Sequence, residues 1–114
     1  MLTYKHTPFD EEITSAMITY NTKNPTKEKF TLIDARIISL IHSYTYYDQP
    51  FFASNQYLAR KCFATPATIQ KSINKLLAHE LIQKTVCCVS GKKQRILIYN
   101  ETGTNKFKNT NKTE

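Results

Sequence analysis

The sequence contains two glycines, no tryptophan and, between residues 50 and 100, a single acidic residue. So few glycines leave no room for a glycine-rich phosphate-binding loop, and a hydrophobic content of 40% excludes a low-complexity chain. No run approaches the roughly 18 consecutive apolar residues that a membrane span requires. Because the first 12 residues also lack the apolar region of a signal peptide, we expect a cytoplasmic protein without membrane contact.

Signatures of catalysis and metal binding are also missing. Cys62, Cys87 and Cys88 show no paired metal-ligand spacing, and the three histidines stand apart from them. His42 and Ser43 are neighbours, but no second ionisable residue at a useful spacing accompanies them. We therefore expect free thiols, no metal, no cofactor and no enzymatic activity.

Positive charge is concentrated in one part of this 114-residue chain, whose formal net charge is +7. Residues 50–100 hold eight of the 16 Lys and Arg residues but only one of the nine acidic residues, Glu80. Residues 1–49 are nearly neutral, with five basic and six acidic residues. A basic segment beside a near-neutral one indicates a polyanionic partner.

The basic segment begins with two predicted helices separated by a tight turn. Ser54 is a typical cap for the first helix, and Thr65 followed by Pro66 is a typical start for the second. The apolar residues of the second helix share one side, at Ile69, Ile73, Leu76 and Leu77. Its other side carries small, amide-bearing or cationic side chains and no carboxylate. This pattern favours a DNA-binding helix-turn-helix, with an ordinary helical hairpin as the alternative.

Two further helices are predicted before this pair. The first runs from about Pro8, with Thr7 before it, to Tyr20. Thr31 and Asp34 form a capping box for the second. The predicted buried face of that second helix consists of Leu32, Ala35, Ile38, Ile41 and Tyr44. The first helix is either a dimerisation or partner-docking arm or an element that packs back on its own domain.

After the helix pair, two β-rich runs surround a four-residue turn at residues 90–93 and predict a hairpin with a basic tip. Cys87 and Cys88 are adjacent on the first strand, so they point to opposite faces. Residues 101–114 are polar and are predicted to form a disordered tail. The chain thus divides into an N-terminal helical arm and linker (1–29), a central domain (30–100) and the tail (101–114).

The segment PFFASNQYLARKCFATPATIQKSINKLLAHELIQK, followed by KKQRILIYN, resembles the small winged-helix domains of plasmid and phage proteins. Such proteins act in replication, mobilisation or transcriptional control. The resemblance implies an α+β winged helix-turn-helix with about three core helices, a β-hairpin wing and, here, an extra N-terminal helix. The sequence departs from the pattern at residues 62–64 and at Glu80, where glycine is common.

The resemblance also implies a recognition helix from Pro66 to about His79 that lies in the major groove of DNA. The positions that would face DNA from this helix and its cap are Thr65, Ala67, Thr68, Gln70, Lys71 and Asn74. Phosphates would be held by Lys61, Lys71 and Lys75, and the wing would contribute Lys92, Lys93 and Arg95. Asn and Gln side chains can pair with adenine, and the helix offers no arginine for guanine. Since the wing carries the richest charge, we expect it to contribute more affinity than the helix.

Three classes of function follow from these observations. The first is a non-catalytic, sequence-selective binder of double-stranded DNA, serving either as a transcriptional regulator or as an accessory factor at a replication or transfer origin. The second is a winged-helix protein-interaction module with replication or transfer proteins as partners, because a fold does not fix a function. The third, an enzyme, is the least supported by the residues. A homodimer formed through the N-terminal arm is compatible with the first two classes.

Overall fold

The computed structural model describes residues 8–112, with side chains from residue 11 onward. In chain order its elements are α1 (Pro8–Lys23), α2 (Leu32–Tyr46), α3 (Asn55–Cys62), α4 (Pro66–Ala78), β1 (Ile82–Val89), β2 (Lys92–Tyr99) and α5 (Glu101–Thr110). The strands β1 and β2 pair as an antiparallel hairpin, and Phe51 forms an isolated bridge to Leu97 at its base. This α+β arrangement is the winged helix-turn-helix expected from the sequence. The predicted helix start at Thr7, and His6, lie outside the described residues.

Local signals at the helix starts explain why these elements form where they do. The backbone N–H of Thr31 donates to Asp34 Oδ2 at 2.7 Å, and the Thr31 hydroxyl accepts from the Asp34 N–H, so the predicted capping box is confirmed. The side chains of Ser54 and Thr65 cap α3 and α4 in the same way, each accepting a backbone N–H of the first turn. Each cap satisfies donors that the helix itself leaves unpaired.

One hydrophobic core joins all five helices and both strands. Its fully buried members include Ile13 of α1, Ile37, Ile38 and Ile41 of α2, Leu58 of α3, Ile69, Ile73 and Leu76 of α4, Ile82 of β1 and Leu97 of β2. The arm therefore packs back on its own domain. The prediction that Leu32 is buried is wrong: its side chain is 69% exposed, because it lies on the outward side of α2 together with Arg36.

Residues 101–110 form a helix, so the prediction of a disordered tail is wrong for this part of the chain. The side chain of Asn100 caps α5 by accepting the N–H of Gly103. Thr104 and Phe107, three residues apart, face inward, and both are buried. Two inward-facing residues on a capped turn suffice here because most helix stability in proteins comes from tertiary packing.

Gly103 is one of only two glycines in the chain, and its position permits the close approach of α5. A Cβ placed on Gly103 would collide with the backbone carbonyl oxygen of Glu80. The same carbonyl oxygen accepts a hydrogen bond of 2.9 Å from Asn100 Nδ2. The absence of a side chain at residue 103 thus lets α5 rest directly on the turn between α4 and β1.

A cluster of four aromatic rings holds α5 against the rest of the domain. Phe107 contacts Tyr20 of α1 and Phe30 of the connecting segment, with ring centroids 5.8 and 5.3 Å apart. His79, at the end of α4, lies 4.8 Å from Phe30 and 5.2 Å from Tyr20, centroid to centroid. Burial, and then the charge of Lys75, lower the pKa of His79, which favours the neutral form of its ring in this cluster.

Helices α3 and α4 are both followed, within two residues, by a residue in the left-handed conformation that is not glycine. Phe63 has a φ of 52° and Glu80 a φ of 60°. After each of them the chain turns back on the helix: Ala64 N–H donates to Ala59 O and Leu81 N–H donates to Leu76 O. These are the two positions at which the sequence departs from the glycine-containing pattern, and the backbone there keeps the conformation that glycine favours.

Replacing either residue with glycine should stabilise the domain. We expect Phe63→Gly and Glu80→Gly each to raise the free energy of unfolding by about 0.5–1 kcal/mol, because an L-residue in the left-handed region is strained and glycine is not. Urea denaturation followed by circular dichroism measures the change. Ala64→Gly is the matched control, since Ala64 lies outside the positive-φ set and this change should destabilise. Equal effects at residues 63 and 64 would contradict the explanation.

The turn of the wing is tighter than the sequence predicted. Strands β1 and β2 each have eight residues, and only Ser90 and Gly91 separate them. Both turn residues have positive φ, at 52° and 78°, as two-residue hairpin turns require. The predicted four-residue turn is therefore wrong, and Lys92 and Lys93 belong to the strand, opposite Val89 and Cys88.

Candidate nucleic-acid interface

The outward side of α4 is polar, exposed and free of carboxylates. Ala67, Gln70, Lys71 and Asn74 recur at spacings of three and four residues, and all four are exposed. Their spacing places them on one side of the helix, opposite the buried Ile69 and the rest of the apolar residues of α4. These exposed side chains are therefore available to a ligand.

In the first turn of α4, polar side chains already have hydrogen-bond partners within the helix. The Thr65 hydroxyl accepts the backbone N–H of Thr68 at 3.2 Å and lies 3.0 Å from the Thr68 hydroxyl. Both side chains are exposed. Thr65 therefore serves first as the helix cap, and Thr68 presents a methyl group and a hydroxyl beside it.

Four side chains from three elements form a continuous chain of hydrogen bonds, which we call the amide relay: Arg95, Asn55, Gln70 and Asn74. Arg95 Nη1 of β2 donates to Asn55 Oδ1 of α3 at 2.9 Å. Asn55 Nδ2 donates to Gln70 Oε1 of α4 at 2.8 Å, and Gln70 Nε2 donates to Asn74 Oδ1 at 2.9 Å. The relay connects the middle of β2 with the first and second helices of the helix-turn-helix.

Arg95 is half-buried, and its guanidinium is turned back toward the domain. Besides its contact with Asn55, its Nη2 donates to the carbonyl oxygen of Ala53 at 2.9 Å. Burial lowers the pKa of the guanidinium, although an arginine stays charged at any physiological pH. The structure thus joins Arg95 to the outward side of α4, and two of its guanidinium nitrogens have internal partners.

Lys75 is likewise engaged internally. Its Nζ lies 2.7 Å from Asp34 Oδ2 and donates to the Lys29 carbonyl oxygen at 2.8 Å. The Lys75 side chain is 8% exposed and the Asp34 side chain is fully buried. Asp34 Oδ1 also accepts from the Ser72 hydroxyl. An ammonium so enclosed is not available for a phosphate, and we leave Lys75 out of the proposed DNA contacts.

The remaining predicted cations are exposed but dispersed. Lys92 and Lys93 are successive residues of β2 and so point to opposite faces of the hairpin. Lys93 shares a face with Arg95 because the two are separated by one residue. Lys61 lies at the far end of α3, about 9 Å along the helix axis from Asn55. Its ammonium rests over the Tyr57 ring, 5.5 Å from the ring centroid.

Two residues of the site escaped the sequence-based prediction. Asn55 is a polar residue just after a helix cap, a position that carries no functional signal by itself, and only its hydrogen bond with Arg95, 40 residues away, gives it a role. Asp34 was recognised as a cap but not as the partner of Lys75, 41 residues later. The carboxylate, placed among apolar positions of α2, was the one signal in the sequence that pointed to an internal cation.

The thiols and acidic groups make no metal site in the part of the chain that the structure describes. Within residues 8–112 no group of three or more His, Cys, Asp or Glu side chains is arranged to hold a metal ion. The cysteines are free: Cys62 is buried, Cys87 half-buried and Cys88 exposed. Burial raises the pKa of the Cys62 thiol. No helix over the same residues has the length and apolar character needed to cross a bilayer.

No family model matches the chain, and no curated protein matches it in sequence. Two solved structures are similar to it. RV1404 from Mycobacterium tuberculosis superposes with a TM-score of 0.52 and 12% identity, over 86% of this chain and 64% of that one. ZitR from Lactococcus lactis, solved in complex with DNA, has a TM-score of 0.46 and 18% identity, over 89% of this chain and 73% of that one. This chain thus spans less than two thirds of RV1404, and at 12% identity that likeness concerns the fold alone.

Proposed function

We propose that this protein binds double-stranded DNA sequence-selectively and without catalysis, with α4 in the major groove and the wing against the backbone. The observation that carries the proposal is the outward side of α4, which is acid-free, exposed and connected through the amide relay to the middle strand positions of a cationic hairpin. A recognition helix presents polar side chains to base edges while neighbouring cations meet phosphates. The bias of positive charge toward residues 50–100 supports the same reading.

The proposed contacts divide into two groups. Ala67, Thr68, Gln70 and Asn74 would meet base edges, with the methyl groups of the first two suited to thymine. Lys61, Lys71, Lys92 and Lys93 would hold phosphates. The cap residue Thr65 lies at the helix N-terminus, where a phosphate is also favoured.

Two biological settings use a surface of this kind, and we propose that the protein belongs to a plasmid or phage-like element. It would act there either as a transcriptional regulator or as an accessory factor at a replication or transfer origin. Footprinting on DNA from its own locus distinguishes the two, because protection over a promoter indicates regulation and protection over origin repeats indicates the accessory role. Dimerisation through α1 stays a prediction, since the apolar face of α1 is buried in its own domain and Ile18 is left 60% exposed.

Binding to duplex DNA should depend strongly on salt. With four exposed cations at phosphates and about 0.9 counterions released per contact, the slope of log K against log salt should be about −3.6. Changing Lys92 and Lys93 to alanine together should flatten the slope by about 1.8 and weaken binding to specific and random DNA alike. Fluorescence anisotropy over a salt series measures both effects.

The matched control is the double change of Lys106 and Lys112 to alanine. It removes the same net charge from exposed lysines at α5 and just after it, outside the proposed interface. We expect it to leave the slope almost unchanged. A wild-type slope near zero would exclude DNA binding, and equal effects of the two double variants would exclude a specific role for the wing.

A second candidate function, as a protein-interaction module in a replication or transfer complex, is favoured by one observation. Phe63 is 92% exposed and stands in a strained left-handed conformation at the turn of the helix-turn-helix. The residue before it, Cys62, lines a small cavity of about 190 Å³ together with Arg36, Leu40 and Lys61. That volume is below the roughly 300–1,000 Å³ of small-molecule sites and suits a single side chain of a partner. Absence of DNA binding at every salt concentration, with a partner lost on Phe63→Ser, would favour this function.

A further inference from the structure

The direction of every hydrogen bond in the amide relay follows from one residue. An arginine side chain only donates, whereas an asparagine or glutamine amide both donates and accepts. Arg95 is held at two nitrogens, by Asn55 Oδ1 and by the Ala53 carbonyl oxygen, each at 2.9 Å. Asn55 must therefore turn its oxygen toward Arg95, because its amide nitrogen has no acceptor there.

This orientation passes along the chain of amides. With its oxygen on Arg95, Asn55 has only its nitrogen to offer to Gln70, and that nitrogen meets Gln70 Oε1 at 2.8 Å. Gln70 then has only its own nitrogen for Asn74, and this nitrogen meets Asn74 Oδ1 at 2.9 Å. The amide of Asn74 is thus fixed with its oxygen toward the relay and its NH₂ group away from it.

The outer end of the relay is consequently a donor. Within residues 8–112 no acceptor takes the Asn74 NH₂ group, and the residue is exposed. In the major groove, guanine presents two acceptors, N7 and O6, whereas adenine presents one acceptor next to a donor. The adenine pairing expected from the sequence needs the amide oxygen to face the base, and here that oxygen faces Gln70.

We propose that Arg95 and Asn55 are positioning residues that determine base specificity through the relay, so that Asn74 reads an acceptor edge, guanine above all. This inference rests on the proposed function, because it assumes that α4 lies in the major groove. Arg95 is half-buried and lies outside the proposed DNA contacts, yet it would determine which base Asn74 prefers.

The relay can be reversed by one substitution. Asn55→Asp supplies a carboxylate that only accepts, so it can hold Arg95 and at the same time require Gln70 to donate with Nε2. Gln70 Oε1 would then accept from Asn74 Nδ2, and Asn74 would present its oxygen outward. An outward acceptor favours the donor edges of adenine and cytosine.

The probe is a pool of randomised DNA duplexes, from which wild type and variants each select preferred sequences at fixed salt. Wild type should prefer guanine at one position by about tenfold, and Asn55→Asp should shift that position to adenine or cytosine by a similar factor. Asn55→Ala and Arg95→Met interrupt the relay without reversing it, so they should reduce the preference at that position to about twofold or less. Each variant is first checked for its melting temperature.

The added negative charge of Asn55→Asp will weaken binding to all duplexes. The readout is therefore the ratio of affinities for paired duplexes that differ only at the one position. Gln56→Glu is the control, because it adds the same charge to the neighbouring, exposed residue of α3 outside the relay. It should lower total affinity and leave the ratio unchanged.

Absence of DNA binding and absence of a role for the relay give different results. If wild type selects no sequence and binds no duplex, the proposed function is wrong and the inference with it. If wild type selects a sequence but Asn55→Asp and Arg95→Met keep its preference, DNA binding stands and the relay does not set specificity. If Asn55→Asp does not fold, the Arg95→Met and Asn55→Ala ratios still decide, since an unchanged ratio in either overturns the inference.

Discussion

Replacing Asp34 with alanine should lower the free energy of unfolding by about 3–5 kcal/mol. The carboxylate is fully buried and pairs with Lys75 at 2.7 Å, and it also accepts from Ser72 and from the Thr31 N–H. Its removal leaves an ammonium enclosed without a counter-charge and deletes the Asp34 half of the capping box of α2, and the first of these costs dominates. Chemical denaturation monitored by circular dichroism measures the loss.

A surface ion pair of the same chemistry provides the control. Lys108 lies 3.0 Å from Glu12, but the two side chains are 21% and 60% exposed. Glu12→Gln should therefore cost about 0–1 kcal/mol, since solvent screens an exposed pair. Asp34→Ala combined with Lys75→Met should recover part of the loss, because the unpaired charge is then gone. A loss below about 1 kcal/mol for Asp34→Ala alone would show that Lys75 is not confined as described.

Phe107→Ala should cost about 3–5 kcal/mol, as is usual when a buried phenylalanine is truncated. The Phe107 ring is 8% exposed and is packed against Phe30, Tyr20 and His79. Since a small domain has only about 5–15 kcal/mol of total stability, the variant should melt at a much lower temperature than wild type. Calorimetry on the full chain measures the shift.

Asn105→Ala, on the exposed side of the same helix, is the matched control for Phe107→Ala. We expect it to change stability by less than about 0.5 kcal/mol, because that side chain is exposed. Similar small effects at both positions would mean that α5 does not dock on the core. Amide hydrogen exchange of residues 104–107 gives a second reading, since a docked helix is protected and a detached one is not.

What could be predicted from the sequence were the features that short segments encode by themselves. Helix starts were predicted from Thr31, Ser54 and Thr65, because a cap forms its hydrogen bond within three residues of its own position. The spacing of Ile69, Ile73 and Leu76 fixes the buried side of α4 in the same local way. These signals located α1 to α4 and the hairpin, and hence the fold class.

What could not be predicted depended on pairs far apart in the chain. Helical spacing predicts that Lys75 is exposed to solvent. It is enclosed instead, because it pairs with Asp34 on another helix. The sequence predicts that Arg95 belongs to a cationic wing tip. Its hydrogen bonds to Ala53 and Asn55, before and at the start of α3, become visible only in the structure. The prediction of a disordered tail at α5 was wrong for a related reason. A single phenylalanine adds little apolar content to the segment, but Phe107 completes a ring cluster formed by residues of three other segments.

The contact between α1 and α5 has a consequence for how the chain reaches its native state. Lys23 Nζ donates to the carbonyl oxygen of Thr110, and Lys108 pairs with Glu12, so the first and last described helices meet across 87 and 96 residues. Contacts of such high sequence separation form late, because a large loop must close before they are gained. During synthesis, α1 to α4 and the hairpin can emerge before Phe107 is available to pack against Tyr20, Phe30 and His79. A nascent chain halted before residue 107 should thus expose the rings of Tyr20 and Phe30 to solvent and to chaperones, and release from arrest should bury them.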